Sequence, residues 1–217
     1  VDERPETQYL YPEFLAFQRL CERHGIAAVI CDPTDLLLCH GSLWHEETRL
    51  DLVYNRVTDF DLKAPPQTVL REAWLQGAAV VTPNPRHHAL YADKKNLVAL
   101  SDDGLLAGWG VDAETRRVLA AAIPRTERVD PAQAEDLWAR RKQLFFKPAA
   151  GFGSKGSYRG DKLTRRVFEE ILAGDYVAQA LALPSAVAVE VNGETTELKA
   201  DIRNYAYRGA VQFVAAR

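Results

Sequence analysis

Positions 145–157 of the chain read Phe-Phe-Lys-Pro-Ala-Ala-Gly-Phe-Gly-Ser-Lys-Gly-Ser. Three glycines and a serine fall within the six positions 151–156, and a loop of this composition lets successive backbone N–H groups turn inward toward an anion. Lys147 precedes the loop at the end of a predicted strand, and Lys155 lies inside it. The stretch therefore predicts a phosphate-binding loop with two positive charges.

Three other glycine-rich motifs explain this loop less well. A Walker A loop needs Gly-Lys-Ser/Thr, but Gly156 follows Lys155. The glycine spacing matches the dinucleotide fingerprint as a string, yet no helix opens directly after it and no acidic residue ends an apolar strand about twenty residues on. The protein-kinase version also needs His-Arg-Asp and Asp-Phe-Gly, which the chain lacks. A dinucleotide-binding oxidoreductase stays open as an alternative that NAD(P) binding would reveal.

The order of elements around the loop resembles the ATP-grasp superfamily. That order is a strand, Lys-Pro, a glycine-rich loop with a second lysine, a helix, and a strand ending in Gln. The matching residues are Lys147-Pro148, the loop 151–156, Tyr176-Val177-Ala178-Gln179, Lys199-Ala200-Asp201-Ile202-Arg203 and the earlier pair Asp93-Lys94. The resemblance covers about residues 90–217 and is to uncharacterised ATP-grasp proteins distantly similar to glutathione synthetase-type ligases.

The resemblance implies ATP and Mg²⁺ as cofactors. Lys94 and Lys147 would contact the nucleotide phosphates, and the strand around Gln179 would meet the adenine. Arg203, with Lys147, would be catalytic, and Asp201 would lie near the transferred phosphoryl group or the substrate. The loop that would close over the phosphates consists of Gly151, Phe152, Gly153, Ser154, Lys155 and Gly156.

The implied reaction joins a carboxylate to an amine or a thiol, both small molecules, through an acyl phosphate. Two alternatives are an inactive ATP-binding module and an ATP-dependent phosphotransferase. The metal ligands stay unknown, because the sequence stops at Arg217 before any convincing Glu-x-Asn element. The chain also starts at Val1 without Met, and we expect it to be a fragment that lacks the catalytic end.

Arg56 is the candidate for holding an anionic substrate, because it follows a buried-looking strand at 50–54, where α/β sheets place ligand groups. The alternative is that Arg56 caps the strand or pairs with Asp59 or Asp61. His40, His45 and Glu46 match no helical metal-binding spacing and predict exposed side chains.

The fold class predicted for the chain is α/β, becoming α+β toward the C-terminus. Residues 1–90 alternate helix and strand signals and predict a Rossmann-like pre-ATP-grasp domain with a largely parallel sheet. Its predicted strands are 26–31, 36–39, 50–54 and 78–81, and its helices end at Gly25 and Gly77. Residues 91–217 form the predicted ATP-grasp domain: a helical connector at 91–142, the glycine-rich-loop lobe at 143–183 with a helix at 161–173, and the start of a C-terminal sheet at 184–217.

Composition narrows the class of protein. The 217 residues carry 27 basic and 30 acidic side chains, a net charge of −3, with no block of like charge, which disfavours a nucleic-acid partner. The three cysteines form no CxxC pair and are typical of reduced thiols. No signal peptide or membrane-spanning run is present, so the sequence predicts a cytoplasmic protein without a membrane partner, and it leaves the oligomeric state unknown.

Overall fold

The computed structural model describes residues 1–216, which form two compact units, Val1–Asp93 and a second one that starts at Lys94. No helix among these residues is both long and apolar enough to span a bilayer. The helices are α1 (Tyr11–Arg23), α2 (Thr68–Gln76), α3 (Pro85–Tyr91), α4 (Asn96–Leu100), α5 (Asp103–Gly108), α6 (Ala113–Ala122), α7 (Ala134–Arg140) and α8 (Arg165–Ala173). The strands are β1 (Leu36–Cys39), β2 (Ser42–His45), β3 (Thr48–Leu50), β4 (Leu52–Tyr54), β5 (Val80–Thr82), β6 (Thr126–Arg128), β7 (Leu144–Pro148), β8 (Tyr158–Arg159), β9 (Tyr176–Ala180), β10 (Ser185–Val191), β11 (Glu194–Ala200), β12 (Ile202–Tyr207) and β13 (Ala210–Ala216).

The first unit combines an antiparallel and a parallel sheet. Strands β1, β2 and β3 form an antiparallel meander, whereas β4 and β5 pair in parallel with Val53 opposite Val81. Helix α2 ends at Gly77, whose φ of 68° a glycine adopts without strain. Leu43, Leu70 and Ala73 are fully buried in the core that joins these elements.

Two predictions for this unit are wrong. The unit does not contain a largely parallel sheet, because β1, β2 and β3 form a separate antiparallel sheet and β4–β5 is the one parallel pair among residues 1–216. Segment 26–31 is not a strand of any described sheet, although it is apolar, because a ladder needs a hydrogen-bonded neighbour as well as composition. The predicted strand at 50–54 is divided between β3 and β4, and the Rossmann-like description is not confirmed.

The second unit is built on a four-stranded antiparallel sheet in the order β6-β9-β7-β8. Successive side chains of β7 lie on opposite faces of this sheet and have different surroundings. Leu144 and Phe146 of β7 enter a core with Phe168 of α8, whose ring lies 5.9 Å from that of Phe146. Phe145 and Lys147 point to the opposite face, because successive strand residues alternate. The sheet thus separates a hydrophobic core from a face that carries polar groups.

The C-terminal residues form two separate hairpins, β10–β11 and β12–β13, rather than the one sheet predicted from position 184 onward. Asn192 and Gly193 form the predicted two-residue turn between β10 and β11, with φ of 54° and 82°. Both values are positive, as a type I′ turn requires. Most side chains of the two hairpins are exposed, so the hairpins contribute little to the hydrophobic core around Phe146 and Phe168.

Two boundaries in the second unit also differ from prediction. The connector at 91–142 is mostly helical but contains β6, which pairs with β9. Pro124 cannot continue helix α6, and the chain turns there into the sheet. Helix α8 starts at Arg165 rather than 161, because the Thr164 side chain accepts a hydrogen bond from the Val167 N–H and acts as its N-cap.

Gly160 is the position where this unit tolerates no side chain. A Cβ placed there would lie 1.9 Å from the Arg141 carbonyl oxygen and 2.9 Å from that of Leu144. Because both neighbours are backbone atoms, we expect Gly160→Ala to lower the free energy of unfolding by more than about 3 kcal/mol in urea denaturation. Gly108→Ala is the control, since its Cβ would meet nothing within 4 Å. Equal stabilities of the two variants would contradict this packing.

Candidate phosphate-binding site

Lys147 and Gln179 lie on neighbouring strands and meet on the same face of the sheet. In the β7–β9 register Phe145 is opposite Gln179, and Lys147 is two residues further along β7. The Lys147 ammonium donates a hydrogen bond to Gln179 Oε1 at 2.7 Å. The same ammonium lies 5.4 Å from the centre of the Phe145 ring. The strand register therefore fixes where this positive charge sits.

Gln179 is held in turn by a chain of hydrogen bonds that runs to β6. Its Nε2 donates to Thr126 Oγ1 at 2.9 Å, and the Thr126 hydroxyl donates to the Pro124 carbonyl at 2.8 Å. Both side chains are buried, at 8% and 3% exposure. A lysine ammonium has donors only, so Gln179 must turn its carbonyl to Lys147 and its NH₂ to Thr126. The amide orientation follows from this chemistry.

Lys94, the first residue of the second unit, contacts the start of the glycine-rich loop. Its backbone N–H donates to the Ala149 carbonyl at 2.9 Å, and the Ala149 N–H donates to the Asp175 carbonyl at 2.9 Å. The Lys94 ammonium reaches the Gly151 carbonyl at 3.2 Å. Main-chain bonds thus anchor Lys94 beside the end of β7, where the glycine-rich loop begins.

The two lysines influence each other electrostatically. Burial lowers the pKa of Lys147 below its ordinary value, and the positive charge of Lys94 lowers it further. Both causes act against the charged form, because a half-buried ammonium loses hydration and a second cation repels it. The pair is therefore a place where an added negative charge is favoured.

The loop between Lys147 and β8 uses left-handed backbone at several positions. Gly153 and Gly156 have φ of 62° and 68°, and Ser154 has φ of 59°. The N–H groups of Lys155 and Ser157 close two consecutive turns onto the carbonyls of Phe152 and Ser154. Such turns are accessible to glycine without steric cost. A glycine-rich sequence is thus what this conformation needs.

Gly156 also has little space for a side chain. A Cβ there would lie 3.1 Å from the Tyr176 hydroxyl, which belongs to β9. The loop consequently packs against the first residue of the strand that carries Gln179. Lys155, by contrast, is exposed and places its ammonium 5.1 Å from the centre of the Phe152 ring.

The structure brings together some of the site residues that the sequence predicts. Lys94, Lys147, Gln179 and the loop 151–156 lie together in one unit through the contacts described above. Arg203 lies on the C-terminal hairpins, with its half-exposed guanidinium 3.8 Å from Asp201. Its role, and that of Asp201, stay predictions.

Arg56 belongs to the first unit and has partners there. Its guanidinium donates to Glu13 Oε1 at 2.9 Å and to the Tyr54 hydroxyl at 3.3 Å, and it lies 5.0 Å from the centre of the Phe14 ring. The sequence alternative of pairing with Asp59 or Asp61 is wrong, since Glu13 takes that place. The side chain is largely buried, with 20% exposed.

Thr126 is the residue of the site that sequence reasoning missed. Its hydroxyl accepts the hydrogen bond from Gln179, and its N–H donates to Ser101 Oγ at 3.1 Å. The sequence predicts a helical connector around it. Pro124 was the available signal, because proline ends a helical run and the residues after it are then free to form a strand.

The donor set matches a polyphosphate better than a bare metal ion. Two lysine ammonium groups and a glycine-rich loop are typical of phosphate binding. Within residues 1–216, no group of three or more His, Cys, Asp or Glu side chains is placed to hold a metal ion. The metal ligands implied by the family resemblance therefore remain unassigned.

The fold is that of ATP-grasp ligases. The ATP-grasp ligase PsnB complexed with a minimal precursor matches the whole of this chain and 74% of its own, with a TM-score of 0.51 and 16% identity. PsnB complexed with a phosphomimetic variant of that precursor, Mg and ADP matches 85% of this chain and 65% of its own, with a TM-score of 0.50 and 16% identity. Identities this low show the fold alone. No protein-family model and no curated protein matches the chain.

The effect of the Lys94 charge on the Lys147 pKa can be measured by titration. We expect the Lys147 pKa, followed by NMR of its ε-methylene group, to rise in Lys94→Gln, because the variant removes a repelling cation. In the unmodified protein the destabilisation from the buried ammonium is fully present below the lowered folded-state pKa, and it decreases as the pH rises from there through the ordinary pKa of the unfolded chain.

Lys155→Gln is the matched control for this titration, since it removes an exposed lysine of the same loop. The Lys147 pKa should not change in that variant. An unchanged Lys147 pKa in Lys94→Gln would mean that the two lysines do not interact as the structure indicates.

Proposed function

We propose that the chain binds MgATP and belongs to an ATP-dependent ligase that joins a carboxylate to an amine or a thiol through an acyl phosphate. The observation that carries the proposal is the pair Lys94 and Lys147 at a glycine-rich loop, in a chain with the ATP-grasp fold. Two lysine ammonium groups beside a loop of small residues suit a phosphate chain.

In this proposal Lys147 and Lys94 bind the nucleotide phosphates, and the loop 151–156 closes over them. Gln179 holds the Lys147 ammonium in place, and the strand around it meets the adenine. Lys147 is catalytic, because a fixed positive charge is worth most where the transferred phosphoryl group gains negative charge. Arg203 as a second catalytic group, and Asp201 and Arg56 as substrate contacts, are proposals that rest on the family resemblance and on residue type.

The proposed chemistry has two steps. A carboxylate oxygen of the substrate attacks the γ-phosphorus of ATP, the bond to the bridging oxygen breaks, and ADP leaves. The amine or thiol then attacks the carbonyl carbon of the acyl phosphate, inorganic phosphate leaves, and the nucleophile gives up its proton. Phosphoryl transfer of this kind is accelerated mainly by positioning and by nearby positive charge. Mg²⁺, when bound, would neutralise part of the charge on the phosphates.

The comparisons support the nucleotide at the level of fold. A structural neighbour with a TM-score of 0.50 was complexed with Mg and ADP, which agrees with MgATP as the substrate here. We further propose that the chain acts in the cytoplasm on small molecules, without a membrane partner, and that it does not bind nucleic acid, which its balanced charge disfavours. The division at about residue 90 and the distant glutathione synthetase likeness belong to the same proposal.

An ATP-binding module without ligase activity is the second candidate. It is favoured by the position of Arg203, whose ion pair is with Asp201 on an exposed hairpin. A phosphotransferase, the third candidate, would use the same phosphate site but transfer the γ-phosphoryl group to a hydroxyl. The three candidates share the nucleotide site and differ in the fate of the bound ATP.

Nucleotide binding is tested by calorimetric titration of MgATP. We expect Lys147→Ala to weaken binding at least about tenfold, which corresponds to about 1.4 kcal/mol, because it removes a positioned charge from the phosphates. Lys162→Ala is the control, since Lys162 is an exposed lysine of the same unit. Unchanged affinity in Lys147→Ala would place the nucleotide elsewhere or exclude it.

Ligase chemistry is tested by incubating the chain with MgATP, a panel of small carboxylates and hydroxylamine. An acyl phosphate reacts with hydroxylamine, so we expect hydroxamate to form in step with ADP and both to fall in Lys147→Ala. ATP binding without ADP release would favour the module. ADP release with a phosphorylated hydroxyl and without hydroxamate would favour the phosphotransferase.

A further inference from the structure

The first unit contains an apolar slot between strand β4 and segment 26–31. The slot has a volume of about 380 Å³ and is lined by helix α1, segment 26–31 and residues 48–54. Its walls include large apolar side chains that stay exposed to solvent, with 48% of Phe17, 58% of Ile26 and 59% of Leu52 accessible. Exposed apolar groups that face one cavity are typical of a binding surface.

Val1 and Asp2 show how wide the slot is. The Val1 nitrogen donates to the Tyr54 carbonyl at 2.9 Å, and the Arg56 N–H donates to the Val1 carbonyl at 2.9 Å. This pair of bonds is the pattern of a parallel β-bridge opposite Asn55. On the other side, the Asp2 N–H donates to the Cys31 carbonyl at 3.3 Å. The slot at this end is therefore one strand wide.

Strand β4 presents an open ladder edge to the slot. Its bonds to β5 use alternate residues, with the Val80 N–H donating to the Asp51 carbonyl and the Asn55 N–H to the Thr82 carbonyl. Strand alternation turns the backbone groups of Leu52 and the N–H of Tyr54 to the opposite side, where Val1 already bonds. Within residues 1–216, β4 pairs with β5 alone.

Helix α1 lies over this slot without a buried residue of its own. Its side chains Phe14, Phe17 and Cys21 line the cavity, yet no residue of the helix is buried. In sequence the helix connects Asp2 with segment 26–31, as a crossover helix connects two parallel strands. A crossover helix normally covers the strands that it joins, and here its apolar side chains cover the slot.

We propose that the slot is a docking site for an extended apolar segment that runs directly into Val1, parallel to β4. A segment of about four residues, at about 3.3 Å per residue, would reach along the length of β4. It would complete a parallel sheet in the order segment 26–31, docked segment, β4, β5. A strand buried on both faces of a parallel sheet is apolar throughout, so Val and Ile are the residues that the slot favours.

The test adds four residues, Val-Ile-Val-Val, in front of Val1. We expect exchange of the Leu52 and Tyr54 amides, followed by NMR, to slow at least about tenfold, because the docked segment would accept their hydrogen bonds. The matched control is an extension of equal length, Pro-Val-Pro-Val, because each proline then stands where the docked segment would turn an N–H group toward β4, and proline cannot donate to a ladder. Thr196, in a hairpin of the other unit, reports any global change.

Exchange of Leu52 and Tyr54 that is no slower with the apolar extension than in the chain without it would overturn the proposal. The free tetrapeptide Val-Ile-Val-Val, at a concentration equal to that of the protein, provides a second test. If it slowed exchange of the Leu52 and Tyr54 amides while the joined extension did not, the occupant would be a separate partner and the proposal would be wrong. A thermal midpoint that rises with the apolar extension alone is the second readout and supports docking. These outcomes do not depend on nucleotide binding.

Discussion

The two-residue alternation of strand β7 is the constraint on which the candidate site depends. It sends Leu144 and Phe146 into the core with Phe168 and turns Phe145 and Lys147 to the other face. A register slip of one residue would place the Lys147 ammonium among the aromatic rings of that core, at a desolvation cost of several kcal/mol. The hydrophobic packing on one face therefore fixes the position of the charge on the other.

Lys147 is held between opposing influences. Burial and the Lys94 charge disfavour its ammonium form, whereas the 2.7 Å bond to Gln179 favours it. Gln179 accepts this bond in a fixed orientation because Thr126 receives its NH₂ group. An anion between the two lysines would reduce their repulsion and restore part of the lost solvation, so a phosphate group is the ligand chemistry that this pair favours.

The sequence was most informative where function depends on local composition. The loop glycines, Lys147 and Gln179 could be proposed for one site because small residues, a strand end and a following helix are close in the chain. Thr126 could not, because its three-residue strand is defined by pairing with Gln179, 53 positions later. Periodicity reports which face a residue occupies, but it does not report which distant strand lies beside it.

Segment 26–31 shows the same limit in the first unit and bears on its architecture. Its apolar composition predicted a buried strand, and the β4–β5 pair is parallel as predicted, yet the two do not meet, because a slot of one strand's width separates them. With the docked segment proposed above in place, the apolar run, helix α1 and the open edge of β4 would belong to one parallel sheet. The local signals for a parallel sheet therefore predicted the β4–β5 pair alone, because the antiparallel meander β1-β2-β3 lies between segment 26–31 and β4 in the chain and composition does not report which strands become neighbours.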